Sequence, residues 1–266
     1  MEQPIQFENH LGETLAATLH RPERPTASGV IAGHCFTCSR HTGVLRRICG
    51  ALCDGGFMAL RFDFSGNGQS QGRFEASTWS KQILEMEAAV ALMQANGASW
   101  IGLAGHSLGA AIALLAARKI GFISAVCRVA GRTSRIRPLH FLAPHQQRDL
   151  VQNGDVTFTS RGRQLTIKRD FFEDADQHDL VAATRSLTVP MLVIHGDRDE
   201  VIPVSEAHLA HRTNPEMVEL AIVAGGDHML SRPEHQTTVA RTVTSWFRRQ
   251  AGLAEPKNRD DASPPS

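Results

Sequence analysis

Trp100-Ile101-Gly102-Leu103-Ala104-Gly105-His106-Ser107-Leu108-Gly109, running on through an alanine- and leucine-rich stretch to Arg118-Lys119, decides how this chain folds. Trp100 to Gly105 is a short apolar run of strand length. Leu108 to Lys119 is nearly all apolar and of helix length, which marks a buried helix. Between them lies G-x-S-x-G, with a strand ahead of the serine and a helix behind it. Such a turn holds a serine outward at a sharp bend, and backbone crowding there tolerates only small residues two positions to each side, hence Gly105 and Gly109. The helix that starts at the serine also points the positive end of its dipole toward the serine oxygen.

Outward from this unit, strands alternate with helices. Upstream, residues 1–22 alternate like two paired strands, and Gly29 to Gly33 is an apolar run ending at His34. Val44 to Leu52 has helical spacing that stops at Gly55-Gly56, and Phe57 to Phe62 reads as strand. Ser77 to Ala95 carries a helix face of Ile83, Leu84, Met86, Val90 and Met93. Downstream, Ile123 to Ala130, Met191 to His195 and Met217 to Val223 read as strands, and Pro233 to Gln250 closes the pattern as a helix. Gly131 to about Leu187 breaks the rhythm with a hairpin, Val156-Thr157-Phe158 against Leu165-Thr166-Ile167. The order predicts an α/β chain with a mostly parallel central sheet, helices on both faces and a small cap insertion. With the serine turn in place, that is the α/β-hydrolase fold. One domain is expected over 1–251, with the cap at about 131–187, and the Pro-rich polar tail 252–266 reads as disordered.

Composition narrows the function. The 266 residues are 42% hydrophobic and 21% charged with a formal charge of +1, which leaves no electrostatic footprint for nucleic acid. The first residues lack a basic stretch followed by an apolar core, so they do not read as a signal peptide. No apolar run reaches membrane-spanning length. Five cysteines, an odd number, suggest a reducing cytoplasm rather than a disulfide framework.

A serine needs a base, and the base needs a group to orient it. In this fold the acid follows a late strand and the histidine a later one. The strand ending at Ile194 runs into His195-Gly196-Asp197-Arg198-Asp199-Glu200, where three carboxylates compete for the acid position. The next strand runs into Gly225-Gly226-Asp227-His228, and of 13 histidines only His228 lies in the loop after the last strand. Ser107 and His228 are therefore the candidate nucleophile and base. The oxyanion hole needs two backbone N–H groups, one from the residue after the nucleophile and one from an early loop; Leu108 and Phe36 are the candidates.

Four strings, His34-Cys35-Phe36-Thr37-Cys38-Ser39, Arg61-Phe62-Asp63-Phe64-Ser65-Gly66, Gly105-His106-Ser107-Leu108-Gly109 and Gly226-Asp227-His228-Met229-Leu230-Ser231, together resemble one group of bacterial α/β hydrolases. Its members are often fused to, or encoded beside, an OsmC-type peroxide-reducing domain. The resemblance extends to about Ala251 and implies a cytoplasmic serine hydrolase with esterase-like chemistry, with an OsmC-type protein as a separate partner. By that similarity Asp199 aligns with the family acid, four residues after His195; it also sits further into its loop than Asp197. One departure is Cys35, which stands where most α/β hydrolases place glycine, so a β-carbon adjoins the oxyanion loop.

Other motifs read more plainly. Cys35-Phe36-Thr37-Cys38 has C-x-x-C spacing; zinc would want four converging ligands, a redox dithiol is a second alternative, and small packed cysteines are the leading reading. Gly66-Asn67-Gly68 lacks the third glycine of a dinucleotide fingerprint. His106 points away from the serine at such a turn and is expected to pack. The cap's basic residues, Arg135, Arg137, Arg161, Arg163, Lys168 and Arg169, read as a solvated face, with recruitment of an acidic substrate as the alternative. The sequence thus predicts a serine hydrolase for small to medium acyl esters, working without cofactor, metal, nucleic acid or membrane. A peptidase, an acyl transferase or thioesterase on the same three residues, and a non-catalytic ligand-binding protein on the same scaffold are the alternatives.

Overall fold

Residues 1–253 are described by a computed structural model; the expected tail, from residue 254 onward, lies outside the described residues. β1 (Glu2–Glu8) and β2 (Thr14–His20) form the opening hairpin. β3 (Ser28–Gly33), α1 (Gly43–Asp54), β4 (Met58–Phe62), α2 (Trp79–Ala95), β5 (Trp100–His106), α3 (Leu108–Ile120) and β6 (Ala125–Val129) follow in alternation. After β6 come α4 (Pro144–Asn153), the hairpin β7 (Asp155–Ser160) and β8 (Arg163–Lys168), α5 (Arg169–Ala175) and α6 (Leu180–Arg185). β9 (Met191–Gly196), α7 (Ser205–Thr213), β10 (Val218–Val223) and α8 (Pro233–Gln250) complete the described chain.

Eight strands make one sheet in the order β1-β2-β4-β3-β5-β6-β9-β10. β2 runs antiparallel to β1 and β4, and every pairing from β4 to β10 is parallel. This is the α/β-hydrolase architecture. β7 and β8 stand apart as a two-stranded sheet.

Strand periodicity divides the core in two. Because successive side chains face opposite sides, Ile31, Leu103, Met191 and Val193 join one apolar cluster, with α2, α3 and α6. Val30, Ala32, Leu192 and Ile194 join the other, with α1 and α8. Both faces are covered, which is why these strands are continuous apolar runs. Phe247 is fully buried on the second face, edge-on to Phe57, Trp100 and Trp246, over the space left by Gly102.

The sequence pattern did not signal α4, α5, α6 and α7. α7 buries only Glu206, Ala207 and Ala210, too little apolar bulk for a periodic signal, and α4 buries only Leu150. α6 packs on α3, placing Leu180 and Ala183 in the first core. The region after β6 is therefore more helical than its central hairpin suggested.

Truncating Phe247 tests this core. Phe247→Ala is expected to lower unfolding stability by about 3–5 kcal/mol, read from the denaturant midpoint. A loss below about 1 kcal/mol would mean that α8 does not clamp the sheet.

Candidate active site

Ser107 joins β5 to α3 with no intervening residue, at φ 56° and ψ −115°. That is left-handed territory for a residue with a side chain, and the surroundings fix it there. The Ser107 N–H donates to the Val129 carbonyl at 2.9 Å. A β-carbon at Gly105 would collide with the Gly109 carbonyl, and one at Gly109 with the Gly33 carbonyl. Both glycines are therefore demanded by backbone approach.

Opposite Ser107, two loops at the ends of β9 and β10 converge. His228 Nε2 lies 3.1 Å from Ser107 Oγ, and His228 Nδ1 lies 2.8 Å from Asp199 Oδ2. A carboxylate can only accept, so Nδ1 carries the proton and Nε2 is left free to accept from the serine hydroxyl. The Asp199 side chain has no solvent exposure. Burial alone would raise its carboxyl, but hydrogen bonds from His195, His228 and the Ile202 N–H outweigh that and hold it far below the usual carboxylate range. Its other oxygen accepts the Val201 and Ile202 N–H groups at 2.9 and 2.8 Å.

Of the three competing carboxylates, only Asp199 meets His228. Asp197 instead accepts the Gly225 N–H at 2.7 Å and ties the two loops together, while Glu200 is exposed at the cavity wall. Gly196 and Gly226 let these loops touch backbone to backbone, since a β-carbon at Gly196 would strike the Gly226 carbonyl.

Two buried histidines hold the loops, and sequence reading did not assign them this role. His195 Nε2 donates to the Ile202 carbonyl at 2.8 Å and lies 3.1 Å from Asp199 Oδ2. His106 Nε2 donates to the His228 carbonyl at 2.8 Å. Burial, with a smaller contribution from neighbouring His228, pushes the His106 imidazole down to about 3, so it stays a neutral donor. His106 does pack as expected, and it also fixes the backbone of His228. The only sequence signal was the i and i+4 spacing of His195 and Asp199.

Phe36 and Leu108 both line the cavity beside Ser107, and neither N–H finds an acceptor among the described residues. The cavity is about 520 Å³, walled by Trp79, Ile136, Phe141, Phe158 and Phe171. The Phe36 ring is the hub of this wall, with centroids 4.9 Å from Phe171, 5.0 Å from Phe74 and 5.6 Å from Phe141. Of the cap arginines, Arg132 is paired with Glu206 at 3.1 Å, and Arg161 packs on Met229 at the cavity mouth.

The cysteines require a correction. Cys35 and Cys38, expected as separate packed residues, are joined by a disulfide, with Cα atoms 5.2 Å apart. The C-x-x-C turn brings the sulfurs together because the Cys38 N–H donates to the Cys35 carbonyl at 3.2 Å. Cys49, Cys53 and Cys127 are free. Among the described residues, no cluster of histidine, cysteine or carboxylate side chains has the arrangement of a metal site, and no helix is long and apolar enough to cross a membrane.

Residues 33–130 match the serine aminopeptidase S33 family, and residues 148–254 match the prolyl oligopeptidase family. Over 184 residues the chain is 28% identical to a Mus musculus protein, palmitoyl-protein thioesterase ABHD10, mitochondrial; the match covers 66% of this chain and 60% of that protein. The chain thus spans about 60% of the length of that curated relative. The esterase domain of a Rhodothermus marinus protein superposes with a TM-score of 0.76 at 26% identity, covering 94% of this chain and 98% of that one. Est1E from Butyrivibrio proteoclasticus, solved with ferulic acid bound, shares the fold with a TM-score of 0.78 at 23% identity, covering 93% of this chain and 99% of that one.

The carboxylate geometry yields a direct comparison. Asp199→Asn is expected to cut kcat/KM for an ester by about four orders of magnitude, because an amide in its place favours the wrong His228 tautomer. Asp197→Asn should stay within about tenfold of wild type, since Asp197 serves only the loop contact. A depressed carboxyl stabilises the fold above its unfolded value and loses that contribution as pH falls through the folded one. Acid unfolding of Asp199→Asn should therefore be less steep than that of wild type. The full loss at Asp197→Asn, with Asp199→Asn near wild type, would reverse the assignment.

Proposed function

Because the chain belongs to the α/β-hydrolase superfamily, we propose that it is a serine hydrolase cleaving small to medium acyl esters through an acyl-Ser107 intermediate. The observation that carries this reading is the unbroken chain from Ser107 Oγ through His228 to Asp199, at 3.1 and 2.8 Å. His228 Nε2 takes the Ser107 proton as the hydroxyl oxygen attacks the ester carbonyl carbon. Negative charge then gathers on the carbonyl oxygen, where the Phe36 and Leu108 N–H groups receive it. The protonated imidazole faces the ionised Asp199, which stabilises it without taking its proton. His228 next donates its proton to the departing alkoxide, and a water activated by the same nitrogen releases the acid.

The aromatic wall supports the choice of acyl group. Each buried methylene contributes about 0.8 kcal/mol until the chain meets Phe36, Phe141 and Phe171. A thioester-cleaving reading gains support from the mouse relative's name, and a peptidase reading from the family matched by residues 33–130. Both would run on the same residues. A cytoplasmic location and an OsmC-type partner belong to the proposal on the strength of the bacterial resemblance alone.

Ser107→Ala tests the core of the proposal, with a loss of at least about four orders of magnitude in ester hydrolysis and complete loss of fluorophosphonate labelling. Retained turnover would refute it. On p-nitrophenyl esters, kcat/KM should rise from acetyl to butyryl or hexanoyl and then fall; a steady rise through palmitoyl would favour the long-chain thioesterase reading.

A further inference from the structure

The wall of the same cavity holds a second reactive group. We propose that the Cys35–Cys38 disulfide is a reversible redox site, opened by a small dithiol that enters through the active-site cavity, and that its state sets how firmly the oxyanion loop is held. The coupling to catalysis rests on the serine-hydrolase reading; the redox site itself does not.

Position is the first argument. The disulfide closes a turn that contains Phe36, whose N–H is the proposed second oxyanion donor. The turn belongs to no helix or strand. Besides the disulfide, the turn is held by the packed Phe36 ring, the Cys38 N–H to Cys35 carbonyl bond and a few further polar contacts. The buried His34 ring receives the Phe64 N–H on Nε2 at 3.0 Å and donates from Nδ1 to the Cys35 carbonyl at 2.6 Å. Thr37 Oγ1 lies 2.8 Å from Ser160 Oγ, and Arg163 donates to the Thr37 carbonyl at 3.1 Å, both on the β7–β8 hairpin. Opening the disulfide would thus free the oxyanion donor and also loosen the seat of the hairpin, with Phe36 at the centre of the aromatic wall between them.

Loop length is the second argument. A bridge spanning a separation of only three residues removes little entropy from the unfolded chain, so its main effect is local. Access is the third. Cys35 lines the cavity, whereas the free thiols lie elsewhere: burial pushes Cys49 up to about 12, Cys127 higher still, and raises half-buried Cys53. They remain protonated and unreactive at neutral pH. Cys35 is therefore the one cysteine among the described residues that lines the substrate space.

The chemistry is thiol–disulfide exchange. A thiolate of the small dithiol attacks Cys35 Sγ, the bond to Cys38 Sγ breaks, and Cys38 leaves as a thiolate that takes a proton. The reductant's second thiol then attacks the mixed disulfide, releasing Cys35 as a thiol and the reductant as a cyclic disulfide. Two electrons and two protons pass to the protein. In a reducing compartment the open form would accumulate, and oxidation would restore the closed loop.

The test compares the full-length protein in its two redox states. Native protein is incubated with dithiothreitol, then alkylated with iodoacetamide, and the peptides are weighed. The expected result is two new adducts, on Cys35 and Cys38, gained without denaturant and at least tenfold more slowly once a bulky fluorophosphonate occupies Ser107. In parallel, kcat/KM for p-nitrophenyl butyrate should fall about tenfold on reduction and recover on reoxidation, a part of the hundredfold or greater loss that removal of one oxyanion donor causes. Cys38→Ser should sit near the reduced level and ignore dithiothreitol, while Cys49→Ser should keep the wild-type response. No exchange without denaturant, or both cysteines alkylated before reduction, overturns the redox site. Equal ester cleavage in both states overturns the coupling to catalysis. Exchange with no ester cleavage and no phosphonate labelling in either state overturns the hydrolase reading and the coupling with it.

Discussion

The bend at Ser107 governs this molecule. A strand turns into a helix within one residue, and that residue sits at positive φ with its side chain outward. Three backbone segments meet around it: the end of β3, the end of β5 and the first turn of α3, so close that Gly105 and Gly109 admit no side chain. The strain of about 1–3 kcal/mol that such a conformation carries is offset by the buried helix and sheet on either side. α3 is buried along its length, with Ala110, Ile112, Ala113, Leu114 and Ala116 essentially without exposure. Packing of that helix thus holds the hydroxyl at the mouth of a cavity rather than in the core.

Around this fixed point the other site residues are held by short polar ties rather than by hydrophobic burial. Asp199 receives N–H donors from Val201, Ile202, His195 and His228, a demand that only an ionised carboxylate meets well. His106 and His195 act as paired struts, one to the His228 carbonyl and one spanning the loop that carries Asp199. Asp197 and the Gly196–Gly226 contact lock the two loops to each other.

Much of this was legible in the sequence. The strand–turn–helix context of Gly105–Gly109 selects the fold, and the order of the loops after β9 and β10 points to the acid and base segments. Among Asp197, Asp199 and Glu200, the resemblance and its place further into the loop favour Asp199, but the contacts from His195 and Ile202 that turn it inward are visible only in the fold. The roles of His106 and His195 were hidden for the same reason: a buried histidine's partner is a carbonyl far along the chain. Ala207 and Ala210 gave no detectable helical period, so α7 passed unnoticed. The Cys35–Cys38 bond was missed because the odd cysteine count argued against disulfides, whereas the local turn geometry favours this one.

The central claim is that Ser107 carries the acyl group during turnover, and covalent trapping tests it most directly. Protein mixed rapidly with p-nitrophenyl butyrate, quenched in acid and digested, should yield one butyryl group per chain, on the peptide containing Ser107. Turnover with an unmodified Ser107 peptide, or with the acyl group on any other residue, would contradict the account.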